Sequence, residues 1–185
     1  MKRGKLALVL LVIFGGIGCD QVTKEAARQH LEGRGTLSYL GDTFRLTYAE
    51  NHGAFLGLGA TLSEEMRTLL FIGLTTLFMV GLLVWLLRRP TLSNLALFAF
   101  SLILSGGIGN LIDRAVFDGG VTDFINIGIG TLRTGIFNVA DVWIMLGVFL
   151  VALSPEFWAK DQPEEDDGDD SGGDNGGKSP EELPG

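Results

Sequence analysis

The chain has 185 residues, 46% of them hydrophobic, with a mean hydropathy of +0.33 and a formal net charge of −8. The apolar content is high for a soluble domain, and the charge is localised: residues 156–185 hold 11 of the 22 acids but only two of the 14 bases. A single cysteine excludes an intrachain disulfide and any CxxC spacing, and the two histidines, His30 and His52, form no HExxH, which disfavours a zinc hydrolase.

Lys2, Arg3 and Lys5 precede an apolar run from Leu6 to Cys19. Its 14 residues reach only about 21 Å as a helix. It crosses a membrane only if the helix continues through "DQVTK" (20–24), so a span over about 6–24 is predicted. The end of this run, "GGIGCDQVTK", has the look of a lipoprotein export signal with Cys19 as the lipid site. A retained span, with small residues at its end, is the preferred reading. Asp20 and Lys24 stand one helical turn apart with the acid first, the favourable order for a pair. An interfacial salt bridge anchoring the span explains them as well as a role in chemistry does.

In the segment 25–68, Phe44, Leu46 and Tyr48 alternate with Arg45, Thr47 and Ala49, the period of a strand. Gly41-Asp42 marks a turn, and "TLSYL" (36–40) is predicted to complete a hairpin on the outer membrane surface. Thr61 with Glu64 fits a helix-start capping box. Three longer apolar runs follow: Leu69–Leu87 (19 residues, no charge), Leu95–Ile112 (18) and Phe137–Leu153 (17). Each suffices for about 30 Å of hydrocarbon, giving predicted spans 69–87, 95–112 and 137–153. Arg88 and Arg89 then fall on the side of the N-terminal bases. The positive-inside rule puts both termini in the cytoplasm and segments 25–68 and 113–136 outside. Residues 1–155 form the membrane domain, and 156–185 are expected to be a disordered acidic cytoplasmic tail.

Polar groups inside spans are costly and mark candidate sites. Asn110 and Arg114 share a helix face beside Gly106, Gly107 and Gly109, small residues that allow close helix packing. Snorkelling of Asp113 and Arg114 at the interface is the plainer alternative. Asp123 lies in "VTDFI", and Asn138 and Asp141 in "FNVADVWI". A lone carboxyl in so apolar a setting is neutralised. Two adjacent carboxyls can share a proton, one serving as base and the other as acid, whereas a single acid there could simply cap a helix. A serine protease built on Ser105 lacks a GxSG elbow and any histidine in a span. A four-span binding protein accounts for the hydropathy but not for the buried Asn and Asp set.

Five stretches in order, "DQVTK" (20–24), "NHGAFLG" (51–57), "GGIGNLIDR" (106–114), "VTDFI" (121–125) and "FNVADVWI" (137–144), resemble lipoprotein signal peptidase (signal peptidase II), an aspartic intramembrane peptidase family of bacteria. The resemblance implies an α-helical integral membrane protein with four transmembrane helices, a small extracytoplasmic β cradle and a short external helix. It implies Asp123 and Asp141 as the catalytic pair. Asp20, Lys24, Asn51, Gly53, Asn110, Arg114, Asn138 and Ala140 would support the pair and bind substrate. The substrate would be a prolipoprotein bearing a diacylglyceryl cysteine, cut just before that residue by water that the pair activates, without a covalent intermediate. No metal or organic cofactor is implied. The expected setting is the bacterial cytoplasmic (inner) membrane, with the active site near its outer face. The expected protein is a monomer among membrane lipids, with no nucleic-acid partner. Two departures stand out: "NHGAFL" where the family more often reads N-x-G-A-A-F, and "SGG" at 105–107 in place of its Gly-Gly-Ala. The acidic tail is no part of the family pattern.

Overall fold

A computed structural model describes residues 2–52 and 63–154, with only the backbone described at Glu64, Arg67 and Thr68. The order of elements is α1 (Arg3–Leu31), β1 (Leu37–Tyr39), β2 (Phe44–Asn51), α2 (Glu64–Leu87), α3 (Asn94–Val116), β3 (Val121–Ile129), β4 (Leu132–Arg133) and α4 (Val139–Leu153).

The first helix does continue through residues 20–24, and runs on to Leu31. Nothing in that stretch breaks it, and its buried residues Val9, Val12, Ile13, Gly16, Asp20, Lys24, Ala27 and Leu31 recur at three- and four-residue steps. Those steps draw one stripe down one face. At ~1.5 Å per residue the 29-residue helix outreaches the hydrocarbon. Helices α1, α2 and α3 are each long and apolar enough to cross a membrane, while α4 has only 15 residues. Their outward faces carry Leu11, Phe14, Leu77, Phe78 and Met145, each more than half exposed. A continuous apolar surface of this kind is costly in water and suited to lipid.

Helix α3 is the centre of the bundle. Its buried positions lie all around the helix, against α1, α2 and α4. A Cβ at Gly106 would collide with the carbonyl oxygen of Ala140 on α4, and one at Gly109 would sit 2.6 Å from Asp20 Oδ2. Glycine at these two places is what lets α1, α3 and α4 touch.

The small sheet is antiparallel, in the order β1-β2-β3-β4. The predicted hairpin is present, with Leu37 opposite Leu46 and Tyr39 opposite Phe44. Residues 121–129, which the sequence places in the outer segment 113–136 without marking a strand, add to this pair. They form β3, which pairs with β2 through Ala49↔Asp123 and Asn51↔Val121. The continuous buried run from Val121 to Phe124 hides the alternation that marks a half-exposed strand. Arg133 braces the far end, donating from Nε to Asn126 Oδ1 at 2.5 Å and from Nη1 to the Asp42 carbonyl at 2.7 Å.

Other expectations change in detail. Helix α2 is capped by Ser63, whose hydroxyl accepts from Met66 N at 3.3 Å; Thr61, of the expected capping box, lies outside the described residues. Helix α3 extends to Val116, past the predicted span end at 112, so Asp113 and Arg114 belong to it, and Arg114 shares a helix with Asn110 as expected. Among the described residues no short external helix is found. Residues 156–185 lie outside the described part.

Candidate active site

Asp20, Lys24, Asn110, Arg114, Asn138, Ala140, Asp141, Asn51 and Asp123 converge where the C-terminal halves of α1 and α3, the start of α4 and strands β2 and β3 meet. Gly53 lies outside the described residues.

The start of α4 sets the geometry. Asn138 caps the helix: its Oδ1 accepts from Asp141 N at 3.0 Å, and Asp141 Oδ2 accepts from Asn138 N at 3.0 Å. Asp141 is therefore a capping acid, the plainer role the sequence offers for it, while its side chain stays within the polar cluster. The Asn138 side chain then reaches Asp123, donating from Nδ2 to Oδ1 at 2.7 Å, and also donates to Asn110 Oδ1 at 3.1 Å. Asn51 donates to the other oxygen, Asp123 Oδ2, at 3.0 Å. Asn110 Nδ2 donates to Asp141 Oδ1 at 3.0 Å. Each carboxyl is held by neutral amides on both of its oxygens, and Asn138 touches both carboxyls.

The two groups feel each other. Burial pushes the Asp123 carboxyl up to about 6, and the neighbouring Asp141 charge acts in the same direction. Bonds from Asn51 and Asn138 to the ionised form oppose the shift. A carboxyl so placed can hold a proton near neutrality and release it. Arg114 presents a buried Nε with no hydrogen-bond partner, and its charge acts on Asp141, Asp123 and Asp113.

Beneath the carboxyls lies a second polar layer. Lys24 Nζ is 2.8 Å from Asp20 Oδ2 and donates to Asn110 Oδ1 at 2.8 Å. Asp20 Oδ1 accepts from Ala140 N at 2.9 Å. The expected Asp20–Lys24 pair is thus present, and both residues are wholly buried. Asp113, for which snorkelling was the plainer alternative, is also wholly buried, 3.4 Å from Lys24. Gln21 joins Asp20, the Gly109 carbonyl and Asp113. Sequence reasoning missed Gln21, Arg28 and the burial of Asp113. The signal was present in the helical spacing. Residues 106, 109, 110 and 113 share one face of α3, as do 20, 24 and 28 on α1.

Ser105 is buried, and its hydroxyl donates to the Leu102 carbonyl at 3.0 Å. It packs opposite Gly16 of α1, a helix-packing position. An apolar groove of about 580 Å³, lined by Thr134, Phe137, Val142, Met145, Leu146 and Phe149, opens beside Asp141.

The sequence profile of the family described as signal peptidase (SPase) II matches residues 11–156. The chain belongs to the signal peptidase II family. Proteins named lipoprotein signal peptidase are similar to it along most of its length. The one from Hydrogenovibrio crunogenus is 35% identical, covering 86% of this chain and 87% of the relative. The one from Borrelia hermsii is 32% identical, covering 81% and 90%, and that from Francisella tularensis subsp. mediasiatica is 33% identical, covering 86% and 98%. Two solved bacterial membrane enzyme structures superpose with TM-scores of 0.70 at 27% and 26% identity, covering 83% and 85% of this chain and 93% and 92% of the respective structures. The fold is thus that of a membrane peptidase, with several apolar helices and a small antiparallel sheet.

Proposed function

We propose that this signal peptidase II family member removes signal peptides from prolipoproteins, cutting just before a diacylglyceryl-modified cysteine, with Asp123 and Asp141 as the catalytic pair. The observation that carries the reading is the single side chain of Asn138, whose backbone N holds Asp141 while its Nδ2 holds Asp123. Two carboxyls fixed side by side, one of them with its proton affinity raised, suit a pair that shares one proton. The ionised member takes a proton from water as that water attacks the scissile carbonyl. The protonated member donates to the carbonyl oxygen, and collapse of the tetrahedral species expels the amine with a returned proton. No bond to the enzyme forms. Which carboxyl starts as base belongs to the pair as a unit.

The remaining residues divide by what they touch. Asn51, Asn110 and Asn138 orient the carboxyls, while Asp20, Lys24 and Ala140 lock α1 to the start of α4. Arg114, with its buried and unpartnered Nε, would donate to a peptide carbonyl of the substrate, and Gly53 would help bind it. The apolar groove along α4 suits the hydrocarbon part of such a substrate. In this reading α4 serves as the fourth span with Asn138 and Asp141 near the outer face; at about 22 Å it falls short of about 30 Å of hydrocarbon, a mismatch that local thinning of the bilayer accommodates. Both termini are cytoplasmic. Residues 1–155 form the peptidase domain, a monomer in the inner membrane, and 156–185 form an acidic appendage. Neither a metal nor a cofactor takes part.

The test is cleavage of a purified diacylglyceryl-prolipoprotein by the wild type, Asp123→Asn and Asp141→Asn with a chelator present. Each substitution should lower turnover by at least 10²-fold, the scale of acid–base assistance, and the chelator should change nothing. Cleavage surviving in either variant would remove the pair from the mechanism.

A further inference from the structure

Strand β3 carries Asp123 but has little sheet on one side. Strand β4 pairs only with Gly128 and Ile129. Along residues 121–126 that side needs other acceptors, because a buried N–H left unpaired is costly. Two groups supply them, and they bracket Asp123. The Phe137 carbonyl accepts from Phe124 N at 3.0 Å and from Ile125 N at 2.8 Å. The Asp113 carboxylate accepts from Thr122 N, through Oδ2, at 2.9 Å.

Asp113 is the more heavily committed of the two. It is wholly buried. Its Oδ1 accepts from Gln21 Nε2 at 3.0 Å, and its Oδ2 lies 3.4 Å from Lys24 Nζ and 3.9 Å from Arg28 Nη1. Arg28 donates from Nη1 to Thr122 Oγ1 at 2.7 Å, with its guanidinium 4.4 Å from the centre of the Phe117 ring. The residue immediately before Asp123 is thus gripped at its backbone by α3 and at its side chain by α1.

We propose that Asp113 is the positioning residue that sets Asp123 against Asp141. Asp141 is fixed by its own helix cap, and α4 is fixed to α1 by the bond from Ala140 N to Asp20. Asp123 comes from a different element, and Thr122 is where that element is tied to the same helices. Asp113 touches neither of the two carboxyls that would act on substrate, so its effect is geometric. A shift of about 1 Å in a reacting group is enough to cost 10²-fold in rate. The role rests on the Asp123–Asp141 reading.

The experiment compares kcat and KM for cleavage of a diacylglyceryl-prolipoprotein by the full chain in detergent micelles. The set is the wild type, Asp113→Ala, Asp113→Asn, Thr122→Val, Asp123→Asn and Asp141→Asn. Asp113→Ala removes the acceptor and should lower kcat about 10²-fold with KM within threefold of the wild type. Asp113→Asn keeps an oxygen for Thr122 N and should recover about tenfold of that loss. Thr122→Val severs only the Arg28 tie and should lower kcat several-fold, again with KM unchanged. If Asp113→Ala does not fold, Asp113→Asn and Thr122→Val carry the test, since both keep the shape of the site. Wild-type kcat in these two, or a loss expressed in KM alone, would overturn the role. Inactive Asp123→Asn and Asp141→Asn beside fully active Asp113 variants would remove only the positioning role. Active dyad variants would instead remove the reading beneath it.

Discussion

Replacing Lys24 by methionine tests the buried layer beneath the carboxyls. The ammonium is 2.8 Å from Asp20 Oδ2, 2.8 Å from Asn110 Oδ1 and 3.4 Å from Asp113 Oδ2, and all three charged groups are fully buried. Methionine nearly matches the volume, so the cost of Lys24→Met is electrostatic. It strands two carboxylates, and breaking a buried pair in this way costs about 3–5 kcal/mol. Asp20→Asn is milder. The cation keeps Asp113 and Asn110, and the amide oxygen still accepts from Ala140 N, so about 1–3 kcal/mol is expected. For a chain of this size each kcal/mol moves Tm by roughly 2–4 °C. Thermal unfolding in detergent micelles should therefore show Lys24→Met well below Asp20→Asn. In the double variant Asp20→Asn should cost nothing further, and should partly restore stability, because one of the two stranded charges is gone. A Lys24→Met protein within about 1 kcal/mol of the wild type, or a double variant weakened by the sum of the two losses, would refute the reasoning.

Other consequences follow from single contacts. Because burial raises the Asp123 carboxyl to about 6 from an ordinary 3.8, the folded state holds a proton there that the unfolded chain releases. That stability is fully present below about pH 4 and is lost as the pH rises through about 6. It amounts to roughly 3 kcal/mol at 1.36 per pK unit, and a pH series of melting curves should be flatter by that amount in Asp123→Asn. Gly109→Ala places a methyl carbon 2.6 Å from Asp20 Oδ2 and should cost about 1–3 kcal/mol along with activity. Gly15→Ala meets nothing within 4 Å and should be neutral or stabilising by up to about 1 kcal/mol; melting both variants side by side checks the contrast. A chain ending at Ser154 should cleave at the wild-type rate in the same prolipoprotein assay, since every contact named at the site lies within residues 16–149.

Much of the fold is legible because hydrocarbon is an undemanding solvent. Long apolar runs mark helices wherever they occur, and the alternation from Phe44 to Ala49 marks a strand because one of its faces is wetter than the other. Asp20, Lys24, Asn110, Asn138 and Asp141 stand out because each interrupts an apolar run. The third strand was not legible, since Val121 to Phe124 is buried throughout and has no period to read. Asp113 was misjudged for a related reason. Beside Arg114 at a helix end it reads as an interfacial pair. Its true partners, Gln21 and Thr122, are 92 and nine residues away.

The sequence by itself thus determined which segments are apolar enough for a membrane, where a hairpin lies, and which polar residues need explaining. Each of these depends only on residues close together in the chain. The tertiary structure decided that Asn138 joins Asp123 to Asp141, that Lys24 lies between two buried acids, and that Asp113 grips the strand ahead of Asp123. Those are bonds between elements far apart in sequence, directed over about 3 Å, and only the packing of α1, α3 and α4 through their glycines brings the groups within that range.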